Sequence, residues 1–352
     1  MIKVKPHIAA MSAYSPPWTG LNRRKYLRLD LNENTQAPPE CVNTALKKLI
    51  DDKCLQMYPD YSDFLPILSQ YTEVKQDNLI ITNGSDQAID IILRAFLGQG
   101  DNMLIAQPEF PIFTQVVRVI DAYIQGVPYN QDMSFPFEAF LNAVTADTRL
   151  IVIINPNNPT GTLLSLEQIE QILARNPDLP VVVDEAYFEF TGITCQSLLE
   201  KYTNLIIVRT FSKAFAMAGL RLGYILASPD IISQFHKIRA PFDVNSCALV
   251  AAKAQIEDPT EWQKYIHEVM AVSKPLLEQF FEQNKVFYYP GAANFMLVRS
   301  EHRDEVVRYL KKQGILVRPM TAPAILDTFR VSIGTVAETQ SFIDVYSKFF
   351  KK

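Results

Sequence analysis

Cysteine is scarce in this chain of 352 residues. Cys41, Cys54, Cys195 and Cys247 stand far apart and form no Cys-x-x-Cys pair, which argues against a disulfide framework and a structural zinc site. Histidine is equally sparse: His7, His236, His267 and His302 are scattered without metal-ligand spacing, so no metal is expected. An excess of one charge is missing as well, since the net charge is only −4. Nucleic acid and anionic membranes usually demand a basic patch or tail, so small molecules become the expected partners. No apolar run reaches bilayer-spanning length, and Met1-Ile2-Lys3-Val4-Lys5-Pro6 lacks the apolar segment of a signal peptide. The expected setting is the reducing cytoplasm. No Gly-x-x-x-x-Gly-Lys-[Ser/Thr] loop is present to hold a nucleotide, and no internal repeat, low-complexity tract or long linker interrupts the chain.

Apolar residues, by contrast, make up 48% of the chain and charged ones 20%, the balance of a folded protein with a sizeable core. The length suits one large domain with a smaller companion. Residues 1–29 read as an N-terminal arm, because Pro6, Pro16, Pro17 and Gly20 interrupt any periodicity before the stretch from Tyr26 to Leu31, which alternates like a short strand. From residue 79 onward, apolar strands alternate with helical patterns: Leu79–Thr82, Met103–Ala106, Leu150–Ile154, Val181–Val183 and Leu205–Val208 are the strands. Short, nearly continuous apolar strands separated by helices predict a mostly parallel α/β sheet with helices on both faces, spanning residues 30–245. Polar residues fall just after these strands, where open α/β sheets collect ligands. Past residue 245 the pattern changes to long helices, then strands at Asn294–Arg299, Leu316-Val317 and Phe329–Ile333. Residues 246–352 are therefore expected to form a smaller α+β domain.

The stretch Thr210-Phe211-Ser212-Lys213-Ala214-Phe215-Ala216-Met217-Ala218-Gly219-Leu220-Arg221 places one lysine among small hydroxyls and apolar side chains. A primary amine in such surroundings suits Schiff-base chemistry with an aldehyde cofactor, pyridoxal phosphate. Arg221, Thr210 and Ser212 can then serve the cofactor's phosphate. A solvated surface lysine is the competing reading. Asp184, at the end of a buried valine strand, needs a charged or hydrogen-bonding partner. A protonated pyridine nitrogen is one; a buried salt bridge or a magnesium ion are others. Gly84-Ser85-Asp86 opens a helix straight after a strand, which makes either a phosphate seat or an ordinary helix cap. Asn158 and Tyr187 can meet the ring's phenolic oxygen, or be a stiff turn and a packed tyrosine. Phe110 can stack on the ring or belong to the core.

Taken in order, Asn-Gly-Ser-Asp, Pro-Glu-Phe, Pro-Asn-Asn-Pro-Thr-Gly, Val-Asp-Glu-Ala-Tyr, Ser-Lys-Ala-Phe and Gly-Leu-Arg-Leu-Gly resemble the fold-type-I pyridoxal-phosphate aminotransferases, and among them the histidinol-phosphate group. The resemblance runs from Asp30-Leu31-Asn32-Glu33-Asn34 to Arg330-Val331-Ser332-Ile333-Gly334-Thr335. It implies Lys213 as cofactor anchor and proton shuttle, Asp184 on the pyridine nitrogen, and Tyr187 with Asn158 on the phenolic oxygen. It assigns the phosphate to Ser85, Asp86, Thr210, Ser212 and Arg221, with Tyr58 reaching it from the other subunit of a homodimer. The stacking position, commonly tyrosine in the group, is Phe110 here, which keeps the ring contact and loses a hydroxyl. Arg330 matches the arginine that meets the substrate's anion, Arg318 lies twelve residues before it, and Tyr14 of the arm is a candidate for closing the site. The expected reaction is amino transfer between histidinol phosphate and 2-oxoglutarate. An aromatic or broad amino-acid aminotransferase and a threonine-phosphate-type decarboxylase share the same cofactor residues. A silent binding module would need neither Lys213 nor Asp184.

Overall fold

Two sheets organise the chain, and the N-terminal part of the sequence contributes to the second of them. The computed structural model describes residues 2–13 and 20–350. Its first strand, β1 (Leu27–Leu29), leads through helical segments to the strands of a seven-stranded sheet: β2 (Leu79–Thr82), β3 (Asn102–Gln107), β4 (Tyr123–Pro128), β5 (Thr148–Ile154), β6 (Val181–Asp184), β7 (Leu205–Thr210) and β8 (Gly223–Ala227). Their order is β2-β8-β7-β6-β5-β3-β4. The pairs from β7 through β6, β5 and β3 to β4 are parallel, while β8 runs antiparallel to both β2 and β7. This is the mostly parallel sheet that the apolar strand runs predicted.

The alternation of side chains along a strand divides the core in two. Ile151, Ile153, Val181, Val183, Leu205 and Ile207 pack into the larger cluster, which continues into the second sheet and includes Ile169 and Leu173 from helix Leu166–Arg175. Their neighbours Val152, Ile154, Val182, Ile206 and Val208 face the opposite way. There they meet Ala88, Ile89 and Ile92 of helix Gly84–Phe96, Val117 of helix Pro111–Ile120 and Phe235 of helix Pro229–Ile238. These central-strand residues are buried on both faces of the sheet, which explains why the strands read as continuous apolar runs.

The second sheet joins β1 to β9 (Tyr288–Tyr289), β10 (Phe295–Arg299), β11 (Ile315–Pro319) and β12 (Thr328–Ser332), in the order β1-β11-β12-β10-β9. β1 pairs in parallel with β11, and Leu27 N–H donates to the Gly314 carbonyl at 2.8 Å. The short strand expected between Tyr26 and Leu31 is thus an edge strand of the second sheet, where β11 offers it an open edge. Earlier in the arm, Pro6–Ala10 forms a short helix with no buried residue, started by proline at its first position. Long helices lie between the sheets in sequence; the first, Ser246–Glu257, is separated from Thr260–His267 by Pro259, which cannot donate to a helix carbonyl. Among the described residues no helix is long and apolar enough to cross a membrane.

Candidate active site

Loops at the carboxyl ends of the parallel strands enclose a cleft of about 350 Å³, within the range of small-molecule sites. Twelve residues singled out from sequence line it together: Ser85, Asp86, Phe110, Asn158, Asp184, Tyr187, Thr210, Ser212, Lys213, Arg221, Arg318 and Arg330. Tyr58 does not line the cleft of its own chain. It is 80% exposed and stacks on Phe242, itself half exposed, with ring centroids 4.7 Å apart. Tyr14 lies outside the described residues.

One end of the cleft is built for an anion. Helix Gly84–Phe96 starts there, and the N–H groups of its first turn have no partner within the helix. Arg221, held in a left-handed conformation with φ 56°, places its guanidinium 2.9 Å from Asp86 and 3.4 Å from Ser212 Oγ. Ser212 N–H donates to Thr210 Oγ1 at 3.1 Å, which folds the two hydroxyls toward each other. Two glycines make room for this packing. A Cβ on Gly84, whose φ is +76°, would come within 2.5 Å of Arg221 Nη2, and one on Gly223 would come within 2.7 Å of Ser85 N. The space is reserved for guanidinium and backbone donors.

Asp184 closes β6 and is 3% exposed. Burial pushes its carboxyl up to about 7, although Ala186 N–H donates to Oδ1 at 3.1 Å and Lys213 favours the charged form. A cation placed beside it would reverse this shift. Lys213 Nζ donates to the Leu31 carbonyl at 3.0 Å and lies 5.7 Å from the centre of the Tyr187 ring. Tyr187 is buried, packs edge-on to Phe295, and accepts a hydrogen bond from Asn32 Nδ2 at 3.0 Å.

Arg318 and Arg330 face the cleft from the second sheet, directly paired across β11 and β12. Arg330 donates to Asn158 Oδ1 and, at 2.9 Å, to the Asp30 carbonyl. The Asn158 amide oxygen is therefore used by the protein, leaving its N–H groups for a ligand.

The roles of two groups of residues escaped the sequence reading. The first is the strap of residues 30–34, which carries carbonyls to Arg330 and Lys213, an amide to Tyr187, and a further amide from Asn34 to the Ala214 carbonyl at 2.8 Å. Its Glu33 also lines the cleft and is gripped by Arg23 at 2.8 and 3.1 Å, which helps to hold the carboxyl below its usual range against the opposing effect of burial. The second is a buried pair behind the cleft, Arg209 and Glu185, 3.0 Å apart with each side chain at most 2% exposed. An arginine within the apolar run of β7, beside an acidic pair after β6, was the available signal.

A family model described as aminotransferase class I and II matches residues 24–345. The chain belongs to this family. Among the relatives of this aminotransferase are the histidinol-phosphate aminotransferases of Dehalococcoides mccartyi, 36% identical over 95% of this chain and 93% of theirs, and of a Geobacillus species, 35% identical over 93% and 90%. The solved structure of histidinol-phosphate aminotransferase from Sinorhizobium meliloti, in complex with pyridoxal-5'-phosphate, shares the fold with a TM-score of 0.88, at 23% identity over 99% of both chains. The aminotransferase fold therefore extends over both sheets described above.

Proposed function

We propose that this aminotransferase exchanges an amino group between histidinol phosphate and 2-oxoglutarate, with pyridoxal phosphate as cofactor. The observation that carries the reading is that one cleft, also lined by Lys213 and Asp184, combines an anion seat around Arg221, built from the first sheet, with two guanidiniums, Arg318 and Arg330, carried by the second. Relatives 33–36% identical over nearly the whole chain, named as histidinol-phosphate aminotransferases, support the same choice.

The residues fit the cofactor. When bound, it supplies an aldehyde that links to an amine and a ring that accepts the electron pair released at the carbon bearing that amine. Arg221, Ser212, Thr210 and the first-turn N–H groups of Ser85 and Asp86 hold its phosphate. Asp184 would accept the N–H of the ring nitrogen, whose positive charge would offset the penalty that burial imposes on this carboxylate. Asn158 and Tyr187 donate to the ring oxygen, and Phe110 covers a ring face. Lys213, the primary amine of the cleft, would hold the aldehyde and, once freed by the amino substrate, would carry the proton at the substrate carbon. Leu31, Ile154, Pro159 and Met320 add apolar surface to the same cleft. Arg330 and Arg318 together grip the substrate's phosphate, for which two forks are better matched than for a single carboxylate.

A homodimer completes this reading. Tyr58 and Phe242 are stacked and exposed, with Leu55 and Met57 also exposed nearby in sequence, an apolar group suited to a second copy whose phosphate seat Tyr58 would reach. The four cysteines are free, in keeping with a cytoplasmic enzyme.

Arg318→Gln tests the substrate assignment. The loss of a charged donor pair should lower kcat/KM for histidinol phosphate by about 10- to 100-fold and that for phenylalanine by much less. Equal losses on both substrates, or no loss on either, would contradict the two-arginine grip. Release of carbon dioxide during turnover would instead identify a decarboxylase.

A further inference from the structure

Asn32 lies in the strap between the two sheets, fully buried and with φ 56°. All four of its polar atoms are engaged. Its backbone N–H donates to Ser332 Oγ at 2.9 Å, its carbonyl accepts from Asn294 Nδ2 at 3.3 Å, its Oδ1 lies 2.9 Å from Ser332 Oγ, and its Nδ2 donates to Tyr187 Oη at 3.0 Å. A desolvated amide is costly unless its partners are all present, so this one is held in a single setting. A hydroxyl has one hydrogen and can accept elsewhere. Ser332 accepts from the Asn32 backbone and gives its own hydrogen to Oδ1, which turns Nδ2 toward Tyr187. Tyr187 therefore accepts from the strap, and its hydrogen is left to point into the cleft.

We infer that Asn32 is a positioning residue that keeps the Tyr187 hydroxyl as a donor toward the cofactor's ring oxygen. The inference rests on the pyridoxal-phosphate reading above. It also ties that hydroxyl to β12, where Ser332 stands two residues from Arg330 and so on the same side of the strand. Arg330 meanwhile holds Asn158, the second partner of the ring oxygen. Both donors to that oxygen are thus set by one strand of the second sheet.

Asn32→Asp is the decisive substitution. Aspartate has the same shape and tolerates the left-handed backbone, but it offers acceptors only, so the Tyr187 hydroxyl turns toward it and away from the ring. The readout is the pH midpoint of the visible absorbance band of protein loaded with pyridoxal phosphate, without turnover. Losing a donor to a negatively charged ring oxygen should raise that midpoint by about one pH unit, as Tyr187→Phe should also do. The other charged groups around the cleft, Lys213, Asp184, Asp86, Glu33, Glu109, Arg221, Arg318 and Arg330, are unchanged in both variants. In a Tyr187→Phe background Asn32→Asp should add little, which separates an effect through Tyr187 from the new charge acting directly. An unmoved midpoint in Asn32→Asp, or an equal rise in both backgrounds, would overturn the inference. Should Asn32→Asp not fold, Ser332→Ala carries the test: it frees the amide to turn over, and its midpoint should rise by less but in the same direction, an unmoved value overturning the role of Asn32. Absence of any band in the unsubstituted protein would instead remove the cofactor reading on which the inference stands.

Discussion

Lys213→Ala should lower turnover by at least about 10⁴-fold while leaving the fold intact. Among the described residues lining the cleft, Lys213 alone carries a primary amine. On the proposed function both covalent attachment of the cofactor and proton transfer at the substrate carbon pass through that amine, and no neighbour offers a substitute. Its contribution to the fold is small by comparison. The Nζ donates to one backbone carbonyl, Leu31, and one such hydrogen bond stabilises a protein by only about 1 kcal/mol. Unfolding curves of the cofactor-free proteins should nearly coincide, and the variant should bind pyridoxal phosphate without the visible band of a lysine-linked cofactor. A variant keeping more than about a tenth of the activity would contradict the assignment.

Asp184→Asn should move stability and activity in opposite directions. Burial pushes the Asp184 carboxyl up to about 7 from its ordinary value of 3.8. The folded state therefore keeps its proton over a range where the unfolded chain has lost it, and stability falls as pH rises from about 4 to about 7. Asparagine never ionises, so the cofactor-free variant should be more stable than the unsubstituted protein at pH 8, by a few kcal/mol at most, with the difference vanishing near pH 4. Glu189, also buried and pushed up to about 8, adds a fall of the same sign, but it is present in both proteins and cancels in the comparison. Turnover should fall by about 10²- to 10³-fold, because on the proposed function the carboxylate keeps the ring nitrogen protonated and an amide cannot supply that charge. Urea unfolding at pH 4, 6 and 8 measures the first effect. A stability difference independent of pH would show that Asp184 is not held uncharged in the empty cleft.

Much of this architecture was legible because the parallel strands are buried on both faces. Leu150–Ile154 and Val181-Val182-Val183 could not alternate with polar residues, and the chemistry-bearing side chains had to wait for the strand ends, where Asp184 and Thr210 stand. The antiparallel β8 was less visible: Gly-Tyr-Ile-Leu-Ala follows the lysine stretch directly, so the motif absorbed the strand. β4 is an edge strand with Gly126 and Pro128 within it and only Val127 fully buried, which leaves little apolar signal to find.

The candidate site divides in the same way. Residues that follow the strands of the first sheet in sequence, from Ser85 to Arg221, could be assembled in one dimension because one sheet edge gathers them. The contacts of Asn32 with Tyr187 and Ser332 span 155 and 300 positions, and no local pattern encodes which face of a strap meets which hydroxyl. Asp30-Leu31-Asn32-Glu33-Asn34 was recognisable as a motif, but its role depends on packing between two sheets. Arg209 and Glu185 were hidden for a related reason: a buried ion pair looks, in sequence, like two unrelated charges 24 positions apart.

The most direct measurement is a single turnover. Protein loaded with pyridoxal phosphate is mixed with histidinol phosphate alone, and the visible absorbance band is followed in a stopped-flow instrument, with glutamate, phenylalanine and tyrosine as comparisons. Rapid loss of the band with histidinol phosphate and with glutamate, and slow loss with the aromatic amino acids, is the predicted result. Rapid loss with phenylalanine or tyrosine and none with histidinol phosphate would contradict it and assign the two arginines to a different anion.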